Sequence, residues 1–302
     1  MSLADLVGTY KPLIDAEIEE ELGRRLAEVR EISPELVKVV TAMQELSHGG
    51  KRMRGLLTIL GYQISRQETV SSGQGEKDIV KAAVIMELFH LGLLVHDDIM
   101  DRDNLRRGVA TVHARYGDRH IGEAMAMCAG DLTFGWGMEI LSNLKSQILK
   151  STQIIDAMGV WGRYFSRVGY GQMLDVLQVA DEASLLQILA LKSGEYSCVL
   201  PLVFGATLGG AKPELIKNLT EYGMELGWVF QLRDDYLAEW GDSSKTGKPV
   251  GNDAREGKHS FALMYGKEKL EQEIKRHAEL AKDATDDVTL REIVDWMANR
   301  NN

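Results

Sequence analysis

The spacing of its prolines is the feature of this sequence that most restricts its fold. Only five prolines occur in 302 residues, at positions 12, 34, 201, 213 and 249, so long stretches contain no residue that breaks a helix. Apolar residues recur at intervals of three and four through most of these stretches, which is the pattern of a helix with one buried face. Alternating strand patterns joined by Asn-Gly or Asp-Gly turns are missing, and so is a GxGxxG segment. The sequence therefore predicts a nearly all-α protein.

Polar breaks separate the predicted helices at three clear places. They are the segment 71–76 (SSGQGE), the turn 209–213 (GGAKP) and the stretch 241–258, which is rich in glycine and charge. None resembles an interdomain linker, and no repeat of fixed period is present. We therefore predict one all-α domain over residues 1–302, with about ten helices packed around one core.

Charge and composition exclude several classes of partner. The chain has 45 acidic and 35 basic residues, a formal charge of −10, which disfavours nonspecific binding to nucleic acid or to an anionic membrane. No run approaches the roughly 18 to 20 apolar residues of a transmembrane helix, and the first residues become acidic where a signal peptide would be apolar. We expect a cytoplasmic protein without a transmembrane segment. Cys128 and Cys198 lack CxxC spacing and are predicted to be core thiols.

One predicted helix, over Val80–Asp101, ends in three aspartates at 97, 98 and 101. Asp97 and Asp101 are four residues apart and project from one helix face. Carboxylates at this spacing repel each other, and acids near a helix C-terminus oppose the helix dipole. A bound cation would offset both costs, and oxygen ligands without His or Cys suit Mg²⁺. The alternative is a solvated acidic helix end.

A second acidic cluster follows another apolar helical run, in residues 228–242. Asp234 and Asp235 are adjacent there. Asp235 has Glu239 four residues later, whereas Ala238 stands where Asp234 would have its partner. Acids on facing helices of a bundle can form a metal site, so the two clusters together favour a metal more strongly than either one alone.

Basic residues accompany both acidic clusters. Arginine binds phosphates through two parallel hydrogen bonds, and lysine acts as a compact charge. Each of them taken alone could be a solvated surface charge, but their grouping beside acidic motifs in an acidic protein indicates a diphosphate substrate. In chain order they are Lys51, Arg52, Arg54, Arg106, Arg107, Lys245, Lys248 and Lys258.

Taken together, these segments resemble the trans-prenyltransferases, the all-α family of farnesyl and geranylgeranyl diphosphate synthases. The similarity extends from Leu46 to Arg300 in the family's order. Residues 49–54 (GGKRMR) are similar to its GGKxxR segment, 97–101 (DDIMD) to its first aspartate-rich motif, and 106–107 to its paired arginines. The second motif departs from the DDxxD form only at Ala238. Further matches lie in GQMLD, LKSG and TGKPVGNDAREGK.

The resemblance implies a helical bundle of the isoprenoid synthase type, with a deep central cavity whose mouth carries both aspartate motifs. Metal ligands would be Asp97, Asp101 and Asp234, holding about three Mg²⁺ ions per site, with Mn²⁺ able to substitute. Residues supporting the metals or their waters would be Asp98, Gln172, Asp175 and Asp235. Residues contacting the two diphosphates would be Lys51, Arg54, His90, Arg106, Arg107, Lys192, Ser193, Gln231, Lys248 and Lys258.

The implied reaction condenses isopentenyl diphosphate with dimethylallyl, geranyl or farnesyl diphosphate. The allylic diphosphate would ionise against the metals and the charges of Arg106, Lys192 and Lys248, with Asp98 beside them. Isopentenyl diphosphate would bind without metal through Lys51, Arg54, His90 and Arg107. The departing pyrophosphate would take the last proton, so no side-chain base is assigned. The resemblance also implies a homodimer; the Met125–Trp136 region could form its contact surface or could be plain core.

Product length should depend on the residues below Asp97 on the same helix. Leu93, Gly92, Phe89 and Met86 lie progressively deeper on or near the same face. Short-chain relatives commonly carry an aromatic residue four or five positions before the first aspartate, where this chain has leucine and glycine. We therefore expect open space there and a stop at Phe89, about one turn or roughly 5 Å further down. This favours geranylgeranyl over farnesyl diphosphate, with longer products or a floor set by another helix as alternatives.

Two other functions remain compatible with the same residue pattern. A terpene cyclase also ionises an allylic diphosphate, but it needs no second diphosphate site of the kind that Lys51, Arg54, His90 and Arg107 would provide. A noncatalytic subunit with the same scaffold has Ala238 as its only support. Dependence on isopentenyl diphosphate separates a synthase from both.

Overall fold

The computed structural model describes residues 1–66, 74–144, 149–178, 181–241 and 260–300. They fall into two compact units. One unit contains Met1–Leu6, Leu60–Gln67 and Ile155–Asn302, and the other contains Val7–Ile59 and Glu68–Ile154. The organisation of the whole chain as a single domain stays a prediction.

Helices account for nearly all of the described residues, so the predicted all-α class is confirmed. In the first part of the chain they are α1 (Leu3–Ile32), α2 (Pro34–Ser47), α3 (Met53–Arg66), α4 (Gln74–Met100) and α5 (Arg119–Ser142). A short 3₁₀ helix, His113–Arg115, precedes α5. In the second part they are α6 (Ser151–Val176), α7 (Glu182–Ile188), a π-helix (Leu189–Val199), α8 (Leu200–Leu208), α9 (Pro213–Trp240), α10 (Phe261–Asp283) and α11 (Val288–Asn299).

Local sequence signals explain many helix ends. Pro34 and Pro213 lie in the first turn of their helices, where a missing N–H leaves no hydrogen bond unmade, whereas Pro201 at the start of α8 directly continues the π-helix. Pro12 differs and lies inside α1. The predicted break at 209–213 separates α8 from α9, and the break at 241 follows the end of α9. Residues 71–73 and 242–258 of the other predicted breaks, including Pro249, lie outside the described residues.

Two short strands interrupt the helices, which the sequence patterns did not indicate. β1 (Leu105–Arg106) pairs antiparallel with β2 (Val109–Ala110) through a two-residue turn. The turn residues, Arg107 and Gly108, both have positive φ, +52° and +81°. A turn of this kind matches the twist of the strands but normally carries Asn or Gly at its first position, so an arginine gives no hairpin signal.

The close approach of α4 and α5 dominates the unit that contains both helices. A Cβ atom added to Gly92 would lie 2.1 Å from Thr133 Oγ1, and one added to Gly130 would lie 2.1 Å from His96 Nε2. Both positions therefore need glycine, because neither helix can move away from the other without opening the core. This contact fixes the face that α4 turns towards α5.

In the other unit, α9 packs against the π-helix and α10. A Cβ atom on Gly227 would lie 2.2 Å from the Cα atom of Gly194, so the two backbones touch where the π-helix crosses α9. Cys198 is buried nearby, as predicted. Cys128 is exposed on α5, so its prediction as a core thiol is wrong; its position on the helix faces away from the buried residues Ala126 and Ala129.

Two helical stretches are long and apolar enough to cross a membrane by length and composition alone, Gly75–Met100 and Glu182–Leu208. The most apolar window of each is 72% and 78% buried inside the protein. Core helices of soluble proteins pass the same test, so these two stretches are weak evidence for membrane spans.

Candidate active site

The C-terminal end of α4 places two carboxylates side by side. The Asp101 N–H donates to the Asp97 carbonyl at 2.8 Å, so the helical turn continues through both residues. Asp97 is partly exposed and Asp101 is exposed. Their carboxylates therefore project from one face into solvent, where their mutual repulsion and the helix dipole both oppose them.

Asp98, between them in sequence, points into the protein instead. Its side chain is 1% exposed, and Oδ1 accepts a hydrogen bond from Arg106 Nε at 2.6 Å. Desolvation outweighs this arginine and raises the pKa of Asp98 to about 6. Oδ2 is buried without a hydrogen-bond partner. Arg106, which lies on β1, therefore pairs with this buried carboxylate of α4. The contact of Arg106 with a leaving diphosphate stays a prediction.

Asp97 and Asp101 fit a hard divalent cation by the chemistry of their donor atoms. Both offer only carboxylate oxygens, which Mg²⁺ prefers. Within the described ranges, no three His, Cys, Asp or Glu side chains form a group that could hold a metal ion by themselves. A cation at the end of α4 would thus complete its coordination with water and substrate oxygens, as Mg²⁺ commonly does.

A cavity of about 20 Å³ lies beside α4 in the same unit, and two arginines against one glutamate make its wall cationic on balance. His90 lies on it, partly exposed. Arg107 contributes from the hairpin turn, where its guanidinium donates to the carbonyls of Leu46 and His48 at 3.2 and 3.0 Å. These bonds stabilise its positive φ, which is costly for a residue other than glycine. The remaining lining residues are Ile18, Leu46, Ser47, Arg52, Glu87, Leu88, Leu91 and Leu94.

The charges around this cavity suit an anion. Desolvation and the neighbouring Arg54 and Arg107 hold the pKa of His90 well below its ordinary value, so the imidazole is neutral at pH 7. Burial, together with Arg52 and Arg106, lowers the pKa of Arg107, but a guanidinium keeps its proton at neutral pH. The cavity therefore offers arginine charge and a neutral hydrogen-bonding imidazole. Lys51 is exposed and Arg54 partly buried at the start of α3.

The second aspartate motif lies near the end of α9, in the other unit. Asp234 Oδ1 forms an ion pair with Arg300, the residue that follows α11. Arg300 also donates to the Phe230 carbonyl at 3.2 Å and lies over the Phe230 ring. In return, Arg233 donates two hydrogen bonds to the Arg300 carbonyl, at 2.9 and 2.7 Å. Sequence reasoning missed Arg300 because a lone arginine 66 positions from its partner carries no local signal.

Asp235 connects three elements of that unit and is only 6% exposed. Its Oδ1 accepts from the Gln231 amide at 2.7 Å, and its Oδ2 accepts from the Phe261 N–H, at the start of α10, at 2.8 Å. The Gln231 oxygen in turn accepts from the Ser193 hydroxyl at 2.6 Å. Both Asp235 oxygens are thus engaged by protein groups, so its direct role is to join α9 to α10 and to the π-helix.

Lys192 lies on the π-helix, partly exposed, and donates to Asp175 of α6 at 2.6 Å. The Ser197 hydroxyl donates to the Lys192 carbonyl at 3.2 Å, across the wide turn of the π-helix. Gln172 is partly exposed one turn before Asp175 on α6. The structure therefore brings Lys192 and Asp175 together, a pairing that the sequence did not indicate, and their roles at the diphosphate and the metals stay predictions. Lys248 and Lys258, also predicted to bind diphosphate, lie outside the described residues.

The residues predicted to set product length face α5 in part. Phe89 is 1% exposed and meets Phe134 of α5 edge to face, with ring centroids 5.5 Å apart. A Cβ atom on Gly92 would lie 3.0 Å from the Phe134 ring. Thr133 and Phe134 therefore fill the space beside Gly92 that the sequence suggested was open. Met86 is buried and Leu93 partly exposed.

Comparisons with known proteins all point to the same family. The family model described as polyprenyl synthetase matches residues 37–297. The geranylfarnesyl diphosphate synthase of Aeropyrum pernix is 34% identical over 225 residues, which are 73% of this chain and 67% of that protein. The geranylgeranyl diphosphate synthase of Methanosarcina mazei is 32% identical over 274 residues, 89% of this chain and 77% of that protein.

Solved structures agree with this assignment. The crystal structure of geranylgeranyl pyrophosphate synthase from Corynebacterium glutamicum, complexed with isoprenyl diphosphate and magnesium, superimposes with a TM-score of 0.86. Its sequence is 25% identical, and the match covers 99% of this chain and 100% of that one. The predicted family and the all-α fold of the isoprenoid synthases are thereby confirmed.

The Asp235 contacts predict a structural role that can be measured. We expect Asp235→Ala to lower the free energy of unfolding by about 1–3 kcal/mol, because the Phe261 N–H and the Gln231 amide lose their acceptor in a buried position. Asp101→Ala, a matched change at an exposed carboxylate, should leave stability unchanged or raise it. Urea unfolding measures both; equal stability of the two variants would contradict the structural role.

Proposed function

Because the chain belongs to the polyprenyl synthetase family, we propose that it condenses isopentenyl diphosphate with an allylic diphosphate, head to tail, to give a trans-prenyl diphosphate. The enzyme class is that of a trans-prenyltransferase. Relatives that are 32–34% identical include geranylgeranyl diphosphate synthases, and this is the product we propose here.

One observation supports this proposal most directly: α4 contributes to two chemically different sites, with His90 at one and Asp97 and Asp101 at the other. His90, on the cationic cavity, precedes Asp97 by seven residues, which is two helical turns or about 10 Å. The first site contains the guanidinium of Arg107 and the imidazole of His90, and it needs no metal. The second consists of carboxylates and can hold a diphosphate only through a cation. A helix with both is suited to two diphosphate substrates bound in different ways.

Residues of the chain would divide the work at the allylic site. Mg²⁺ held by Asp97 and Asp101 would supply positive charge that lets the pyrophosphate leave, and Asp234 is proposed as a further metal ligand. Lys192, which donates to Asp175, is proposed to add positive charge that stabilises the leaving group. Lys248 belongs to the same proposed set. Asp98 and Arg106 would hold the end of α4 against the hairpin, because their ion pair joins the two elements.

At the other site, the chain would bind and orient isopentenyl diphosphate. Arg107 and Arg54 supply charge and His90 supplies a hydrogen bond, while exposed Lys51 closes over the diphosphate from the start of α3. Holding the double bond against the allylic carbon contributes to the rate by positioning. The departing pyrophosphate accepts the final proton, so no protein base is needed.

The cationic cavity also separates the two rival functions. A terpene cyclase uses one diphosphate, and the cavity of Arg107 and His90 would then have no substrate. A noncatalytic subunit would have no need for the costly Asp97 and Asp101 pair, whereas Ala238 concerns only the outermost position of the second motif. Both features therefore favour the condensing enzyme.

We extend the proposal to a homodimer, since two helices expose apolar stripes. On α6, Ile155, Met158, Phe165 and Met173 share one face and are 63%, 38%, 37% and 65% exposed. The glycines at 162 and 169 on that face have open space before them, which would admit a second helix. On α5, the predicted Met125–Trp136 region is mixed. Met127, Cys128 and Leu132 are exposed there, whereas Trp136 is buried.

Location and the number of metal ions complete the proposal. We place the enzyme in the cytoplasm, which its acidic charge and the burial of its two most apolar helices support. About three Mg²⁺ ions per site, replaceable by Mn²⁺, would supply the positive charge that a diphosphate leaving group needs.

The proposed reaction predicts a strict dependence on substrates and metal. Purified protein with Mg²⁺ should convert isopentenyl diphosphate plus dimethylallyl, geranyl or farnesyl diphosphate into longer prenyl diphosphates, and chelation by EDTA should abolish this. With an allylic diphosphate alone, no hydrocarbon should form. Product analysis by mass spectrometry decides: hydrocarbon from the allylic substrate alone would indicate a cyclase, and no turnover with any primer would indicate a noncatalytic subunit.

The Phe89 and Phe134 rings predict the product length. Because they meet below Asp97 and close the path beside Gly92, Phe89→Ala should lengthen the product by one or more isoprene units beyond geranylgeranyl diphosphate, and Phe134→Ala should act in the same direction. Tyr10→Leu, which removes a buried ring on α1, is the control and should leave product length unchanged. An unaltered product distribution in a folded, active Phe89→Ala enzyme would refute this assignment.

A further inference from the structure

Arg52 lies in the middle of the GGKRMR segment but does not present its charge to solvent. It is 7% exposed and has a φ of +58°. This left-handed conformation is unfavourable for a residue other than glycine. Its carbonyl accepts the first helical hydrogen bond of α3, from the Leu56 N–H at 2.9 Å. Surrounding contacts must therefore hold the residue that begins α3 in a strained state.

Three groups hold the Arg52 guanidinium. Nε donates to Asp15 Oδ1 of α1 at 2.6 Å, and one terminal nitrogen donates to the Ser47 carbonyl at 2.7 Å. The other terminal nitrogen lies 3.6 Å from Glu87 Oε2 of α4. A Cβ atom on Gly50 would lie 2.9 Å from the guanidinium, so the loop folds directly over it. Arg52 thus joins α1, α4 and the loop between α2 and α3.

Glu87 completes this arrangement from the α4 side. It is 7% exposed, and its Oε1 accepts a hydrogen bond from the Gly55 N–H, in the first turn of α3, at 2.9 Å. It is the one acidic side chain on the wall of the cationic cavity that Arg107 and His90 also line. Arg52 and Glu87 therefore fix both the loop before α3 and the first turn of α3.

We propose that Arg52 is a positioning residue of the isopentenyl diphosphate site. Lys51, directly before it, and Arg54, two residues after it, are the GGKxxR residues assigned to that diphosphate. Both depend on the loop and helix start that Arg52 fixes through Asp15, Ser47 and Glu87. Arg52 acts through them, because its own guanidinium is directed to protein groups on three sides. This inference rests on the proposed function and adds the group that sets the geometry of its second substrate site.

Asp15 allows a test that leaves every proposed substrate ligand in place. It is partly exposed on α1, and it also pairs with Lys11 at 2.6 Å. Asp15→Asn weakens the contact with Arg52 without removing bulk, whereas Lys11→Gln removes only the other partner of Asp15 and serves as the control. Arg52→Lys, a second variant, keeps the positive charge but loses the fork that contacts Asp15 and Ser47 together.

The measurement is steady-state kinetics with each substrate varied in turn. For Asp15→Asn and Arg52→Lys we expect the KM for isopentenyl diphosphate to rise about tenfold, while the KM for the allylic substrate and kcat stay within about twofold. Lys11→Gln should match the wild type. A merely structural role would lower the active fraction, and thus kcat, without this split between Michaelis constants.

The outcomes distinguish a failure of the proposed function from a failure of the positioning role of Arg52. If the wild type does not condense the two diphosphates, the proposed function is wrong. If the wild type is active but both Michaelis constants rise equally, or neither changes in a folded Asp15→Asn enzyme, the positioning role of Arg52 is refuted and the proposed function stands. The same conclusion follows if Lys11→Gln reproduces the Asp15→Asn effect, because loss of the pair between Lys11 and Asp15, and not loss of the hold on Arg52, would then account for it.

Discussion

Much of this structure depends on negative charges that lie where like-charge repulsion and the helix dipole disfavour them. At the end of α4, Asp97 and Asp101 repel each other and face the unfavourable end of the helix dipole, while Asp98 is buried between them. Burial of a carboxylate requires a partner, and Arg106 of the hairpin supplies it. The ion pair between Asp98 and Arg106 joins the end of α4 to the hairpin. It thereby also positions Arg107, which lies in the hairpin turn.

Arginines in this protein divide into those that build the site and those that would bind substrate. Arg52 and Arg106 are directed to carboxylates of the protein, and Arg300 is directed to Asp234. Arg107 is fixed by backbone carbonyls, which occupy some of its donors but carry no formal charge. The distinction matters because the sequence presents Arg52 and Arg54, or Arg106 and Arg107, as equivalent pairs. Contacts with distant elements show which of these arginines are held by carboxylates of the protein.

Sequence predicted the class of fold and the positions of the acids because these depend on local patterns. The helix that ends at Asp97 and Asp101 is read from apolar spacing, and the turn before Pro213 from its glycines. Pairings between distant residues were out of reach: Asp15 with Arg52, Ser193 with Gln231 and Asp235 with the Phe261 N–H depend on packing. The space beside Gly92 was predicted to be open for the same reason. Sequence shows the missing side chain of a glycine but not the Thr133 and Phe134 side chains that fill its place.

The outer carboxylates of α4 are proposed to serve catalysis at a cost in stability. Turnover and unfolding of Asp97→Ala, measured on the same preparation at saturating Mg²⁺, test it most directly. We predict that turnover falls by at least about a thousandfold, because a metal ligand is lost, while the urea midpoint stays the same or rises, because a like-charge repulsion is removed. Near-normal turnover at saturating Mg²⁺ would contradict the account, and so would a loss of activity explained by unfolding.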